Sequence, residues 1–250
     1  MNVKVTFVGT SHGIPMEDRY CACTMLEIGD SIYFVDAGAP VIHALLQRKK
    51  DPCKVRAIFT THVHSDHTGG LSPYLELVGW AYTKHEVDVY LTEQRLADGL
   101  VALHDGMSVA PFDSKRIRLH IIDPVTTVYE DENVKVQFIP TKHLGDANPS
   151  NAILITAGDK KLLFSGDLSY GMHMNDFPTV VCEENFDLFV CEFAHGLTFD
   201  NLGKYFDACK TKRLYFNHIW TMDKLADIEA AKERYPFEVV ASYDGLEIEI

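Results

Sequence analysis

The segment Phe59-Thr60-Thr61-His62-Val63-His64-Ser65-Asp66-His67-Thr68-Gly69-Gly70 constrains this chain more than any other. Four imidazole or carboxylate groups fall within six positions, after an apolar run and before a pair of glycines. Packing is a poor explanation for them, because each such group must be hydrogen-bonded, solvated or bound to a cation if it is buried. Alternation along an extended stretch points His62 and His64 to one side, while Asp66 and His67 reach a second position as the chain turns. One loop between a strand and a helix start can therefore serve two neighbouring metal ions.

The rest of the chain supplies a scaffold of interleaved strands and helices. Val3 to Val8 alternates and is rich in β-formers, and residues 24–28 and 32–35 flank Gly29-Asp30 as a hairpin. Helical spacing over 40–50 ends in basic residues that suit the helix dipole, and a strand follows over 55–60. A helix over 70–80, a strand over 87–91 and a helix over 92–104 with Thr92 as N-cap come next. Strand patterns occupy 116–122, 126–129, 134–139, 152–156 and 161–164, the last two joined by the turn Ala157-Gly158-Asp159-Lys160. The last third alternates strand 188–191, helix 201–209, strand 213–216, helix 222–234 and strand 238–241. This order predicts an α/β (α+β) chain with two sheets inside and helices outside, residues 1–250 forming one domain.

Composition narrows the setting. With 46% hydrophobic and 24% charged residues the chain has an ordinary globular balance, so a sizeable core is expected. The N-terminus lacks the basic leader and apolar stretch of a secretory signal, and no segment is apolar enough to cross a membrane. Six cysteines (Cys21, Cys23, Cys53, Cys182, Cys191, Cys209) show no C-x-x-C pair, which points to a reducing, cytoplasmic setting. A formal net charge of −13 repels polyanions and disfavours extended nucleic-acid binding without excluding it, whereas a small anionic substrate remains compatible with a metal site. The chain also allows a homodimer.

The run His62-x-His64-x-Asp66-His67 resembles the signature of the metallo-β-lactamase superfamily. The resemblance extends over nearly the whole chain: Asp36 after Ile32-Tyr33-Phe34-Val35, His143, Asp167 in Ser165-Gly166-Asp167, and His218 in Phe216-Asn217-His218 follow in the family's order. It implies a four-layer αββα sandwich. It further implies His62, His64 and His143 on one ion, Asp66, His67 and His218 on a second, and Asp167 bridging, with Asp36 orienting ligands or the hydroxide. The donor types suit two Zn²⁺, with Mn²⁺ or Fe as alternatives. A dinuclear, metal-dependent hydrolase that uses a metal-bridging hydroxide is the activity implied. As a plain alternative, Asp36 before Ala37-Gly38 is a turn residue.

Within the superfamily, Phe7-Val8-Gly9-Thr10-Ser11-His12-Gly13-Ile14-Pro15, then Arg19-Tyr20 and Val35-Asp36-Ala37-Gly38, resemble the opening of the tRNA 3′-processing nuclease and cyclic phosphodiesterase branch. A phosphodiester of a small molecule or nucleotide is therefore the expected substrate. The alternatives are an RNA 3′-processing endonuclease, a hydrolase of lactones, thioesters or other esters, and a non-catalytic metal-binding module. Two departures weaken the nuclease reading: Ala37-Gly38-Ala39-Pro40 replaces the acidic-Gly-Glu-Gly run, and a basic Gly/Pro-rich arm is missing. Glu192 fits a family Glu, but its partner in a His-Ser-Thr element is absent, leaving His195 as the nearest substitute for a proton donor. His12 is a second candidate for the cleft; as loop histidines, both would instead meet solvent. Lys142, Lys84 and Arg19 are candidate phosphate contacts, and residues 103–115 or 168–179 are candidate covers for the cleft.

Overall fold

The computed structural model describes residues 2–250. In chain order its strands are β1 (Val3–Gly9), β2 (Cys23–Ile28), β3 (Ser31–Val35), β4 (Val55–Phe59), β5 (Val87–Leu91), β6 (Ile117–Ile121) and β7 (Val128–Glu130). These are followed by β8 (Lys135–Thr141), β9 (Ser150–Ala157), β10 (Lys160–Phe164), β11 (Leu188–Phe193), β12 (Arg213–Ile219), β13 (Glu238–Ala241) and β14 (Glu247–Glu249). The helices are α1 (Val41–Gln47), α2 (Ser65–Thr68), α3 (Leu71–Trp80), α4 (Gln94–Met107), α5 (Val180–Glu183), α6 (Phe199–Phe206) and α7 (Met222–Ala231). One sheet has the order β14-β1-β2-β3-β4-β5-β6 and the other β13-β12-β11-β10-β9-β8-β7.

The period of two along each strand explains why the sheets stack. In β9, Ile153, Ile155 and Ala157 enter the core between the sheets with Val5, Phe7, Leu26 and Phe59 of the first sheet. Ala152 and Leu154 face the other way, toward Val181, Leu202, Phe206 and Ile228 of the helices α5, α6 and α7. On the far side α1, α3 and α4 cover Met25, Phe34, Ile58 and Val89. Each large apolar side chain so buried contributes roughly 1.5–3 kcal/mol. The result is the expected αββα sandwich, and with both faces covered its central strands read as continuous apolar runs. In β11 all six residues of Leu188–Phe193 are buried, and Glu192 is the exception in polarity.

Pairing decides where the chemistry is placed. β3, β4, β5 and β6 run parallel to one another, as do β10, β11, β12 and β13. Loops that leave the carboxyl ends of parallel strands converge on one edge, which is where open α/β sheets present their sites.

Three local expectations are corrected. Thr92 does not cap α4: the chain stays extended through Glu93 (φ −140°, ψ 136°), so Thr92 stands one residue too early and its hydroxyl is buried without a partner. The basic residues expected inside the end of α1 lie beyond it, with Lys49 at φ 55° terminating the turn. The helix expected over 201–209 begins at Phe199, capped by the Thr198 hydroxyl and the Asn201 side chain in a reciprocal box. β14, three residues without a periodic pattern of their own, pairs antiparallel with β1 through Lys4 and Glu249.

Candidate metal centre

β4 ends at Phe59 and its chain continues through Thr60 and Thr61 into the histidine run, where α2 supplies one tight turn carrying Asp66 and His67. That turn is locked from behind by Asp36. Its carboxylate accepts the Thr61 N–H (2.8 Å), the Thr61 hydroxyl (3.0 and 3.1 Å) and the His67 Nδ1–H (2.8 Å). Asp36 holds φ at 59°, a left-handed conformation that Asp tolerates better than most residues. Close backbone approach finishes the lock: a Cβ on Gly38 would lie 1.7 Å from the Asp66 carbonyl oxygen. The second sheet contributes His143 after β8, Asp167 after β10 and His218 near the end of β12, the last also left-handed at φ 53°.

These loops bring two groups of donors together. His62 Nε2 and His143 Nε2 lie 3.1 and 3.4 Å from His64 Nδ1, and both are 3.8 Å from Asp167 Oδ2. Asp66 Oδ2 lies 3.2 Å from His218 Nε2 and 3.3 Å from His67 Nε2; Asp167 stands 3.4 Å from His67 Nε2 and 3.5 Å from His218 Nε2. Four donors at 2.0–2.2 Å around a tetrahedral ion are separated by about 3.3–3.6 Å along each edge, so the spacing fits a cation of zinc size in each group.

Proton positions support the same fit. The His143 Nδ1 faces the Leu168 carbonyl oxygen (3.1 Å) and therefore donates, which leaves its Nε2 lone pair toward His62 and His64. His67 Nδ1 donates to Asp36, and its Nε2 is buried between two carboxylates without a hydrogen-bond partner, as is Asp167 Oδ1. Burial opposes charge on His67, but Asp167 and Asp36 hold its pKa well above the ordinary imidazole range. Burial would raise the Asp167 carboxyl, yet His218 and His67 hold it well below its usual value. Asp66 is likewise kept ionised, burial being outweighed by His218 and His67. In contrast, burial and the neighbouring His67 push His62 well down, so it remains a neutral donor.

At the rim, His195 Nδ1 sits 2.9–3.0 Å from both Glu192 oxygens while its Nε2 is 3.7 Å from Asp167 Oδ2. Burial lowers the His195 pKa, but the Glu192 carboxylate overrides this and pushes it up to about 9. Glu192 is itself buried and also accepts the Leu168 and Ala194 N–H groups, so the expected acid–histidine pair is present. His12 is buried beside His218, edge-on to it with ring centres 6.4 Å apart. Asp36 lies behind His67, so it positions that ring without facing the mouth.

Other candidates fall elsewhere. Lys84 lines a groove with Lys54 and Arg56, at the end of β4 opposite the histidine run, and is too far to contact a substrate there. The Lys142 ammonium pairs with Asp146, while its backbone N–H donates to Asp176. Arg19 pairs through its backbone with Met16. Of the two candidate covers, residues 103–115 fold back on α4, with Phe112 N–H bonded to Asp105 (2.7 Å). Residues 168–179 do border the site: Gly171 N–H bonds the His195 carbonyl (2.7 Å) and Tyr170 packs over Gly196. Thr61 and Asp176 are functional residues that carry no sequence signal. Asp176 accepts the Lys142 N–H and the Ser169 N–H and hydroxyl, tying the His143 loop to the Asp167 loop, and nothing in its local sequence marks it.

A family model described as Anti-Pycsar protein Apyc1 matches residues 3–218. Among curated proteins the chain is 32% identical over 145 residues to a ribonuclease Z of Microcystis aeruginosa, covering 56% of this chain and 44% of that protein. A ribonuclease Z of Methanocaldococcus jannaschii is 26% identical over 141 residues with the same coverages, so the chain matches less than half the length of these relatives. Among solved structures, the metallo-β-lactamase fold protein YhfI of Bacillus subtilis covers all of both chains at a TM-score of 0.78 and 19% identity. Human tRNase Z, short form, covers 98% of each chain at 0.71 and 18%. The fold is thus the metallo-β-lactamase fold. The ribonuclease Z likeness runs against the expectation, drawn from net charge, that nucleic acid is disfavoured. Among the described residues no helix is long and apolar enough to cross a membrane.

Proposed function

Since the chain belongs to the Anti-Pycsar protein Apyc1 family, we propose that it is a metal-dependent hydrolase acting on a phosphodiester of a small molecule or nucleotide. The observation that carries this reading is the convergence of seven donors from both sheets at spacings suited to two cations. His62, His64 and His143 would hold one ion, Asp66, His67 and His218 the other, and Asp167 would be shared. Two divalent ions, zinc or alternatively manganese or iron, would supply Lewis acidity toward an ester oxygen and acidify water at neutral pH.

The protein's own groups then have defined tasks. Glu192 keeps a proton on His195 at neutral pH, and His195 Nε2 faces the cluster, where it can pass that proton to a leaving oxygen. Asp36 fixes the His67 tautomer, and Asp176 fixes the spacing of the two loops from the second sheet. His64 is exposed and His195 partly so, which favours a reachable catalytic site over a closed, non-catalytic module. The ribonuclease Z likeness supports a second reading, RNA processing, against which the net charge of −13 stands.

Protein stripped of metal and reloaded with zinc or manganese should hydrolyse phosphodiesters in a panel that includes monoesters, lactones and thioesters, and Asp167→Ala should abolish that turnover. Absence of diester turnover with either metal would overturn the proposal. Cleavage of a structured RNA with salt-sensitive binding would favour the second reading.

A further inference from the structure

We propose that Cys182 and Cys209 form a dithiol modification site, closed reversibly to a disulfide by exchange with a small-molecule disulfide of the glutathione type. Cys182 lies in α5 and Cys209 just beyond the end of α6, and both are partly exposed free thiols. The Lys210 N–H donates to the Val181 carbonyl oxygen (2.7 Å), so one backbone hydrogen bond joins the residue before Cys182 to the residue after Cys209. The Cys182 and Cys209 N–H groups are fixed on the Thr179 and Phe206 carbonyl oxygens (2.8 and 3.2 Å), and the Cys182 thiol donates to the Tyr205 carbonyl oxygen (3.6 Å). The two sulfurs are thereby in contact, close enough for each thiol to alter the other's ionisation. A disulfide needs Cα atoms about 4.4–6.8 Å apart, and two short elements pinned by a shared backbone bond can close one with little movement. The other thiols are placed differently: Cys21, Cys23 and Cys191 are buried, closed to an incoming disulfide, and Cys53 precedes β4 at the end opposite the histidine run.

The exchange balances within the pair. The Cys182 thiolate attacks one sulfur of glutathione disulfide, forming a mixed disulfide and releasing a glutathione thiolate; the Cys209 thiolate then attacks the Cys182 sulfur and expels the second glutathione. The protein gives up two protons and two electrons, and the oxidant leaves as two glutathione thiols. Burial raises both thiols, Cys209 far above the usual range, whereas contact with Cys209 opposes the rise at Cys182, which is therefore the attacking group. Closure exchanges the Cys182 hydrogen bond to Tyr205 for a covalent tie between α5 and the end of α6. Tyr205 stacks on Phe177, with ring centres 4.4 Å apart and planes within 14°, and its hydroxyl donates to Asn175. These are the two neighbours of Asp176, which joins the His143 and Asp167 loops, so the clasp fastens the segment that braces the donor cluster from behind. Under reducing conditions the pair rests as thiols, and an oxidising shift closes it. Neither sulfur belongs to the donor cluster, and the inference does not depend on the diesterase reading.

The test incubates metal-loaded protein with excess glutathione disulfide at mildly alkaline pH. Intact mass should show a protein two hydrogens lighter, and peptide mapping should place the new bond between Cys182 and Cys209. Because that bond closes residues 182–209 into a loop, the melting temperature should rise by roughly 5–10 °C. Excess reduced glutathione should return mass and melting temperature to their starting values. Cys182→Ser and Cys209→Ser should each fail to form the bond and keep their own melting temperature under the same oxidant. Stable glutathione adducts on either residue without an internal bond, a crosslink between other cysteines only, or thiols left unchanged would overturn the site. A mapped bond that leaves the melting temperature unaltered would overturn the clasp. The mapping is made on wild type, so it decides the matter even where a serine variant fails to fold.

Discussion

Replacing Asp36 with Asn changes one atom's chemistry at almost constant volume, and its effect follows from the proton on His67. The Asp36 carboxylate is 5% exposed and accepts from Thr61 N–H, Thr61 hydroxyl and His67 Nδ1–H. An amide has one oxygen; if it keeps the Thr61 N–H, its NH₂ group faces His67 Nδ1 at about the former 2.8 Å. In the metal-bound state, where His67 keeps a single proton on Nδ1, two donors then oppose each other, costing about 1–3 kcal/mol, unless the imidazole shifts that proton to Nε2. That atom lies 3.3 Å from Asp66 and 3.4 Å from Asp167, and once protonated it has no lone pair for a cation. Asp36→Asn is therefore expected to weaken metal binding by the Asp66, His67 and His218 group roughly 10- to 100-fold. Asp36→Ala should be worse for stability, about 3–5 kcal/mol, since three buried donors lose their acceptor and alanine must adopt φ 59°. Metal content measured across buffered free-zinc concentrations, with urea unfolding of the metal-stripped proteins, checks both. Two equivalents held by Asp36→Asn at the wild-type midpoint would refute the tautomer argument.

Gly38→Ala should cost about 3–5 kcal/mol, because backbone oxygens of Asp66 and Ala22 at 1.7 and 2.9 Å of its Cβ have no room to move; a melting temperature equal to wild type contradicts this. In metal-stripped protein, Glu192→Gln should drop the His195 pKa from about 9 toward 6.5, as read by imidazole NMR. Because the folded pKa is raised, the Glu192–His195 contribution is complete below pH 6.5 and lost as pH climbs through about 9. After allowance for partial exposure it amounts to about 2 kcal/mol, so wild type and variant should converge in stability over that window. Asp88 shows the opposite sign: burial raises its carboxyl, but Arg118 and His120 outweigh it and hold it at about 2. Its contribution, about 1 kcal/mol after screening, is present above pH 4 and lost as pH falls toward 2. Asp88→Asn should remove that acid-limb difference in urea melts, and an unchanged slope would count against the Arg118 pairing.

The sandwich was legible because both sheets are covered, so strands such as 87–91 and 238–241 stand out as short β-rich runs between helical spacings. What failed was local. Thr92 has the right chemistry for a cap but sits where the strand has not yet ended, and β14 is three residues whose strand character comes from pairing with β1. The histidine run named its own donors, whereas His143, Asp167 and His218 were found through order along the chain. Lys84 misled, because charge alone does not say which end of a strand a loop occupies. Asp176 and Thr61 could not be read at all: their roles are hydrogen bonds to backbone or to neighbouring side chains that exist only once distant loops meet.

The two left-handed residues explain how such loops meet at one point. Asp36 ends a strand of the first sheet and His218 lies in the last turn of a strand of the second, at φ 59° and 53°. Each conformation costs of order 1–3 kcal/mol, and each turns its chain abruptly into the shared edge. Both are over-determined: Asp36 by its three acceptor bonds, His218 by contact with Asp66 and by Ile219 bonding Thr10. Within the protein, charge balance adds a further restraint, since His67 carries its proton between Asp36, Asp66 and Asp167. A cation entering that group must replace this proton, so the same four residues that assemble the edge also make metal uptake dependent on pH.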